Sequence, residues 1–310
     1  MDESAAHTLW EVGLSGRFAP SPTSALHVGN LRTALVAWLL ARSTGRDFRL
    51  RIEDLDVTRV AAAPDVAAQQ VADLLAIGLD FDGEVLWQSA RLDAYAEAVR
   101  GLETYECFCT RREIAEAASA PHGDGYRPYP GTCRNLSAAA RDELRRTRQP
   151  ALRVRADGAT SPVTDLWAGS VSGVVDDFVL VRNDGAFAYN LAVVVDDLAM
   201  DVDQVCRGDD LLSSAPRQAW LASRLGGTPP VYAHVPLVVN TSGQRLAKRD
   251  GAVTLADLAA AGVSPGQVLS RIAVSLDLAE PGEPVTPARL LPRFDPTNLP
   301  RYPWVVQQTS

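Results

Sequence analysis

Lysine is nearly absent from this chain: of its 30 basic residues, 29 are arginine and one, Lys248, is lysine. A sequence that uses arginine wherever a generic positive charge will serve, yet keeps one lysine, points to a position needing a compact ammonium on a flexible stem. Long apolar runs are missing as well. None reaches the ~18 uninterrupted residues of a membrane helix, so no membrane partner is expected. The first twelve residues carry Asp2, Glu3 and Glu11 and no basic cluster before an apolar run, which does not read as a signal peptide. A soluble, cytoplasmic protein is therefore expected. Cysteine is limited to positions 107, 109, 133 and 206, which suggests thiols or a metal site rather than a disulfide framework. Nor is positive charge in excess. The net charge of −8 argues against a protein that coats nucleic acid with its whole surface.

What the chain does contain is 310 residues with 46% apolar content, enough for two domains and a sizeable core. Its arginines cluster locally, at Arg111, Arg112 and Arg134 and again at Arg141, Arg145, Arg146, Arg148, Arg153 and Arg155. Such a cluster either tracks a phosphate backbone or forms a solvated face interleaved with acids. From Leu14 to Phe18 a strand-like run leads into the turn-rich Ala19 to Ser24, after which Leu31, Leu35, Trp38 and Leu39 recur at helical spacing up to a Gly45 cap. Phe48, Leu50 and Ile52 alternate with Arg49 and Arg51 as a second strand, and Pro64 is expected in the first turn of a helix that exits at Gly78. Between about Cys107 and Arg155 the alternation breaks, as for an insertion. It then resumes: Phe178 to Val181 reads as a strand, Tyr189 to Val195 and Pro216 to Leu225 as helices, and Val231 to Val239 as a strand. Two modest helices follow Lys248, then a proline-rich tail that cannot form regular structure along its length. Cys206, among apolar and acidic neighbours, reads as a small buried hydrophobe.

Two segments carry nucleotide chemistry. Arg17-Phe18-Ala19-Pro20-Ser21-Pro22 leads into Leu26-His27-Val28-Gly29-Asn30 at a strand–loop–helix junction, where backbone N–H groups face a nucleotide. Gln244-Arg245-Leu246-Ala247-Lys248-Arg249-Asp250 brings the one lysine to a loop entered from a strand. The first resembles the HIGH signature of class I aminoacyl-tRNA synthetases, with Asn30 in place of its final His, and its preamble is similar to the glutamyl and glutaminyl branch. The second resembles the KMSKS loop, with Lys248 on its second lysine. The resemblance implies an α/β, Rossmann-type parallel sheet with a zinc-containing α+β insertion and a short helical C-terminal part. The expected divisions are 14–106 and 176–252 for the two catalytic halves, 107–175 for the insertion and 253–310 for the C-terminal segment.

The same resemblance implies roles. His27, Gly29, Asn30 and Lys248 bind ATP, which enters with Mg²⁺, and His27 and Lys248 are catalytic. Arg17, Phe18, Ala19, Pro20, Ser21, Glu53, Tyr189 and Arg207 bind glutamate, with Glu53 facing the amino group and the two arginines holding the carboxylates. Buried charges need partners, which is why an amino acid of this shape calls for that set. Cys107-Phe108-Cys109 followed by Tyr129 and Cys133 matches the insertion of the glutamyl-queuosine synthetases, where three cysteines and a tyrosine hold a structural Zn²⁺. In that family glutamate passes to queuosine in the tRNA(Asp) anticodon stem-loop, and with only a short segment after Lys248 no anticodon-binding domain is expected. A shortened glutamyl-tRNA synthetase charging the acceptor end is the alternative, and a non-catalytic RNA-binding relic is a third reading that Lys248, His27 and Glu53 oppose. A monomer is expected.

Overall fold

The structure, a computed structural model, describes residues 14–117, 128–246 and 253–306. Strand β1 (Ser15–Phe18), helix α1 (Val28–Ser43) and strand β2 (Asp47–Ile52) come first. They are followed by α2 (Val57–Ala61), α3 (Val66–Ala76), β3 (Leu86–Trp87) and α4 (Leu92–Arg100). Next are β4 (Thr104–Cys107), α5 (Arg111–Ala117), α6 (Ala138–Arg145), β5 (Ala151–Val154), β6 (Thr160–Asp165), β7 (Gly169–Val174) and β8 (Val179–Val181). Then come α7 (Tyr189–Ala199), β9 (Val202–Gly208), α8 (Ala215–Arg224), β10 (Val231–Val235) and β11 (Val238–Val239). Helices α9 (Leu255–Ala260), α10 (Pro265–Val274) and α11 (Pro287–Leu290) and strand β12 (Trp304–Val305) complete the series.

The central sheet has the order β3-β2-β1-β9-β10-β6-β7 and is parallel except for β7. Strand β1 has β2 on one side and β9 on the other, so the strand order reverses there and a crevice opens beyond the carboxyl ends of β1 and β9. Helix α1 lies beside that point with Leu31, Leu35 and Leu39 fully buried, in one core with Val268, Leu269 and Ile272 of α10. Its apolar residues surround it, as suits a helix covered on both sides, and each such leucine contributes about 1.5–3 kcal/mol.

Several expectations are corrected here. Val179–Val181 does not resume the parallel alternation; it pairs with β5 in a three-stranded antiparallel sheet, β4-β5-β8, while β6 and β7 join the central one. Asp157 and Gly158, both at positive φ, turn the chain from one sheet to the other. Alternation cannot tell which sheet a strand will join. Pro64 stands just ahead of the N-cap Asp65 rather than inside α3. The run 231–239 is split by Pro236, which lacks the N–H a ladder needs. The proline-rich tail is packed: Phe294 and Leu299 are buried, Trp167 Nε1 donates to the Pro296 carbonyl at 2.9 Å, and β12 pairs with β11. No helix among the described residues is long and apolar enough to cross a membrane.

Candidate active site

The loop leaving β1 is fixed from below. Gln70 Nε2 donates to the carbonyls of Ser21 and Ser24 at 3.1 and 2.7 Å, and Glu53 N donates to the Pro20 carbonyl at 2.9 Å. Above it, at the carboxyl ends of β1 and β9, lies a cleft of about 370 Å³. Of the residues expected to bind glutamate or ATP, Arg17, Phe18, Ala19, Ser21, His27, Gly29, Asn30, Glu53, Tyr189 and Arg207 border this cleft. Pro20 does not; it is buried beneath the loop, and its contribution is the carbonyl that sets Glu53. Lys248 lies outside the described residues.

His27 is the N-cap of α1. Its Nδ1 accepts from the backbone N–H of Gly29 and Asn30 at 3.1 and 3.3 Å, while Asn30 Oδ1 accepts from His27 N at 3.1 Å. Asn30, in place of the signature's last histidine, closes a capping box. Burial, helped by the nearby Arg245 cation, lowers the His27 pKa from 6.5 to about 4. With Nδ1 accepting, the neutral ring carries its proton on Nε2, a donor left for the cleft. Gly29 serves this geometry: a Cβ there would stand 2.9 Å from the His27 ring and 3.2 Å from Val238.

The charged floor spans distant segments. Arg51, 0% exposed, donates to Asp197 Oδ1 at 2.6 Å and to Glu53 Oε1 at 3.1 Å. Arg17 Nε reaches the same Asp197 oxygen at 3.3 Å and its NH1 reaches the Cys206 carbonyl. Burial raises the Glu53 pKa against the pull of Arg51 and Arg17, whereas for Asp197 the two arginines outweigh burial and hold it low. Behind them Asp196 accepts from Arg91 Nε, Tyr95 Oη and Gln88 Nε2 at 2.6, 2.8 and 2.9 Å.

Arg207 is different. It is 5% exposed, and its partners are His234 Nε2 at 3.0 Å, Gln218 Oε1 at 2.6 Å, the Leu211 carbonyl at 3.2 Å and Tyr189 Oη at 3.5 Å. All are neutral, and no carboxylate among the described residues pairs with it. Asp197, His234, Gln218 and Arg51 as a bridge were not anticipated from the sequence. The one available signal was the Asp196-Asp197 pair closing an otherwise apolar helical run. At the cleft mouth Arg245, three residues before Lys248, pairs with Asp210.

The expected metal ligands also converge. The three sulfurs of Cys107, Cys109 and Cys133 lie within 4.8 Å of one another, with Cys109 and Cys133 3.5 Å apart. Sulfurs on a tetrahedral Zn²⁺ with bonds of ~2.3 Å would lie ~3.8 Å apart, so the spacing fits. Tyr129 Oη sits 3.4 Å from Cys107 Sγ and 3.8 Å from Cys109 Sγ and accepts from Cys133 N at 2.8 Å. The Arg153 guanidinium stacks 3.7 Å over the Tyr129 ring, a cation beside a site that gathers negative charge. Cys206 is buried apart from this group, in the wall of the main cleft.

The arginine cluster is interleaved with acids. Arg134 pairs with Asp157 and Asp177, Arg145 with Glu106 and Asp142, Arg146 with Glu143 and Arg148 with Glu113. Beside the thiols a second cleft of about 670 Å³ is bordered by Arg111, Arg148, Arg153 and Arg182 over a floor that includes Phe108 and Ile114.

Comparison with known proteins agrees with this geometry. Residues 14–274 match the family of tRNA synthetases class I (E and Q), catalytic domain. The chain is 57% identical over 300 residues to the glutamyl-Q tRNA(Asp) synthetase of Nocardia farcinica, covering 95% of this chain and 94% of that one. It is also 57% identical over 296 residues to the glutamyl-Q tRNA(Asp) synthetase of Cutibacterium acnes, covering 92% of this chain and 85% of that one. Among solved structures, a glutamate tRNA ligase from Elizabethkingia meningosepticum in complex with its amino acid superposes with a TM-score of 0.76 at 26% identity, over 95% of this chain and 67% of that one. The signature loop capped by His27, the paired acid and arginines of the cleft and these matches together establish that the chain belongs to the class I E and Q tRNA synthetases, and within them to the glutamyl-Q tRNA(Asp) synthetases.

Proposed function

We propose that the protein activates glutamate with ATP to glutamyl-adenylate, releasing pyrophosphate, and passes the glutamyl group to queuosine in the anticodon loop of tRNA(Asp), releasing AMP. The observation that carries this reading is the unequal compensation of cations in the cleft. Glu53 offers a carboxylate for the substrate ammonium. Arg207, whose partners are neutral, takes the side-chain carboxylate, which keeps its charge throughout. Arg17, already shared with Asp197, suits the α-carboxylate, which loses its charge when its oxygen attacks the α-phosphorus. His27 Nε2–H donates to the phosphate oxygens and the Lys248 ammonium neutralises their charge as pyrophosphate leaves. A queuosine hydroxyl then attacks the acyl carbon. No side-chain nucleophile is needed, because positioning supplies most of the rate.

Class I synthetases use ATP with Mg²⁺, which adds countercharge on the phosphates. Cys107, Cys109, Tyr129 and Cys133 would hold one structural Zn²⁺, cross-linking β4 to the segment around Cys133 and firming the side of the arginine-bordered cleft where RNA would approach. The choice of tRNA(Asp) rests on the names of the relatives at 57% identity. The solved relative named as a glutamate tRNA ligase, at 26%, supports the alternative of charging an acceptor end.

Transfer of labelled glutamate decides between them. A tRNA(Asp) anticodon stem-loop bearing queuosine should accept glutamate, the same RNA with guanine should be inert, and tRNA(Glu) should remain uncharged. ATP-dependent charging of tRNA(Glu) at its terminal ribose would overturn the proposal.

A further inference from the structure

We infer that His234, held by Asp165, is a positioning residue for Arg207 and thereby sets the preference for glutamate over glutamine. This rests on the reading that Arg207 takes the side-chain carboxylate. Strand β10 lies between β9 and β6, and in its register His234 stands directly beside Arg207. Asp165, the last residue of β6, is saturated by donors: its Oδ1 accepts from Trp167 N and Ala168 N at 2.9 and 2.8 Å, and its Oδ2 from His234 N at 3.1 Å. The same Oδ2 lies 2.6 Å from His234 Nδ1. A carboxylate so placed holds the ring proton on Nδ1, and Nε2 then offers its lone pair to Arg207 Nε at 3.0 Å. Arginine only donates, so no other tautomer fits.

The imidazole therefore does two things for Arg207. It fixes the guanidinium plane together with Gln218 and Leu211; a fourth N–H points to Tyr189 Oη at 3.5 Å, which leaves one of the five, on NH2, for the cleft. It also keeps the Asp165 charge one ring away, so that the acceptor on Nε is neutral and the cation stays uncompensated until a substrate carboxylate arrives. Glutamine, with an amide in that place, would leave a buried cation unpaired. The contact is made equally in ground state and transition state, so its loss should appear in KM rather than kcat.

Two neutral amides divide the ring between them. His234→Asn mimics the Nδ1 half and loses Arg207, while His234→Gln mimics the Nε2 half and keeps an acceptor on it. In ATP–pyrophosphate exchange His234→Asn should raise the glutamate KM on the order of tenfold and narrow the glutamate-to-glutamine preference by a similar factor. Its kcat and its KM for ATP should stay within about twofold. His234→Gln should stay within about threefold of wild type in every parameter. A folded His234→Asn with an unmoved glutamate KM, or a folded His234→Gln as impaired as the asparagine variant, overturns the inference. If the asparagine variant does not fold, the glutamine variant decides alone, and loss of its preference for glutamate is the refuting result. A wild-type protein without glutamate-dependent exchange would instead overturn the assignment of the substrate.

Discussion

Replacing Glu53 by glutamine should separate activity from stability. The Glu53 side chain is 9% exposed and accepts from Arg51, which keeps Asp197 at 2.6 Å as its closest anion. Glutamine preserves the shape and one acceptor oxygen but offers the substrate ammonium no charge. A hydrogen bond to a charged group contributes about 1.5–3 kcal/mol, which at about 1.4 kcal/mol per decade is a loss of roughly 10- to 150-fold in kcat/KM for glutamate. Stability should move the other way. Burial raises the Glu53 pKa in the folded state, so between the unfolded and folded values the native protein binds more protons and stability falls as pH rises through that window. Ionising Glu53 in its buried place is thus a cost to folding that the neutral amide avoids. ATP–pyrophosphate exchange and thermal melts at pH 7 measure both. The expected pair of results is a large loss of kcat/KM with a Tm no lower than wild type. Exchange within twofold of wild type would refute the role of Glu53, and loss of activity together with a lowered Tm would refute the electrostatic account.

Lys248→Arg should impair adenylate formation severely while glutamate binding stays nearly intact, because charge is kept but reach and shape change; exchange within a few-fold of wild type would remove the argument from the single lysine. One tightly bound zinc per chain is expected from metal analysis of the purified protein, and Cys133→Ala should lose it; an active wild-type protein without zinc would remove that assignment. The His27 ring should titrate at about 4, so the rate profile should show no step from it between pH 5 and 8. Because the unfolded chain binds that proton below 6.5 and the folded one does not, the ring's contribution to stability is lost as pH falls from 6.5 through about 4. An NMR titration placing the His27 pKa near 6.5 would contradict the effect of burial beside the Arg245 cation.

Much of the site was legible in the sequence because it is local. Arg17 to Asn30 lie on one strand, one loop and one helix start, and the chemistry of that junction follows from residue order. Cysteines 107, 109 and 133 with Tyr129 belong to one short insertion, and the resemblance to the glutamyl-queuosine synthetases marked them as a group whose three thiols the structure gathers. The lone lysine was visible from composition. What the sequence could not contain is the pairing of charges across the fold: Asp197 stands 180 residues from Arg17 and 146 from Arg51, and ion pairs act over about 3 Å of space, whatever the distance along the chain. Arg51 alternates with the apolar residues of its strand and yet is fully buried, because both faces of a central parallel strand are covered. The assignment of strands to two sheets was hidden for a related reason, since each strand carries the same period whichever neighbour it meets. The neutral surroundings of Arg207 depend on β9, β10 and β6 lying side by side, which sets His234 beside the guanidinium and Asp165 behind His234. Residue order thus determined which groups the cleft would hold, while tertiary packing decided which of its cations are already paired and which one waits for a substrate.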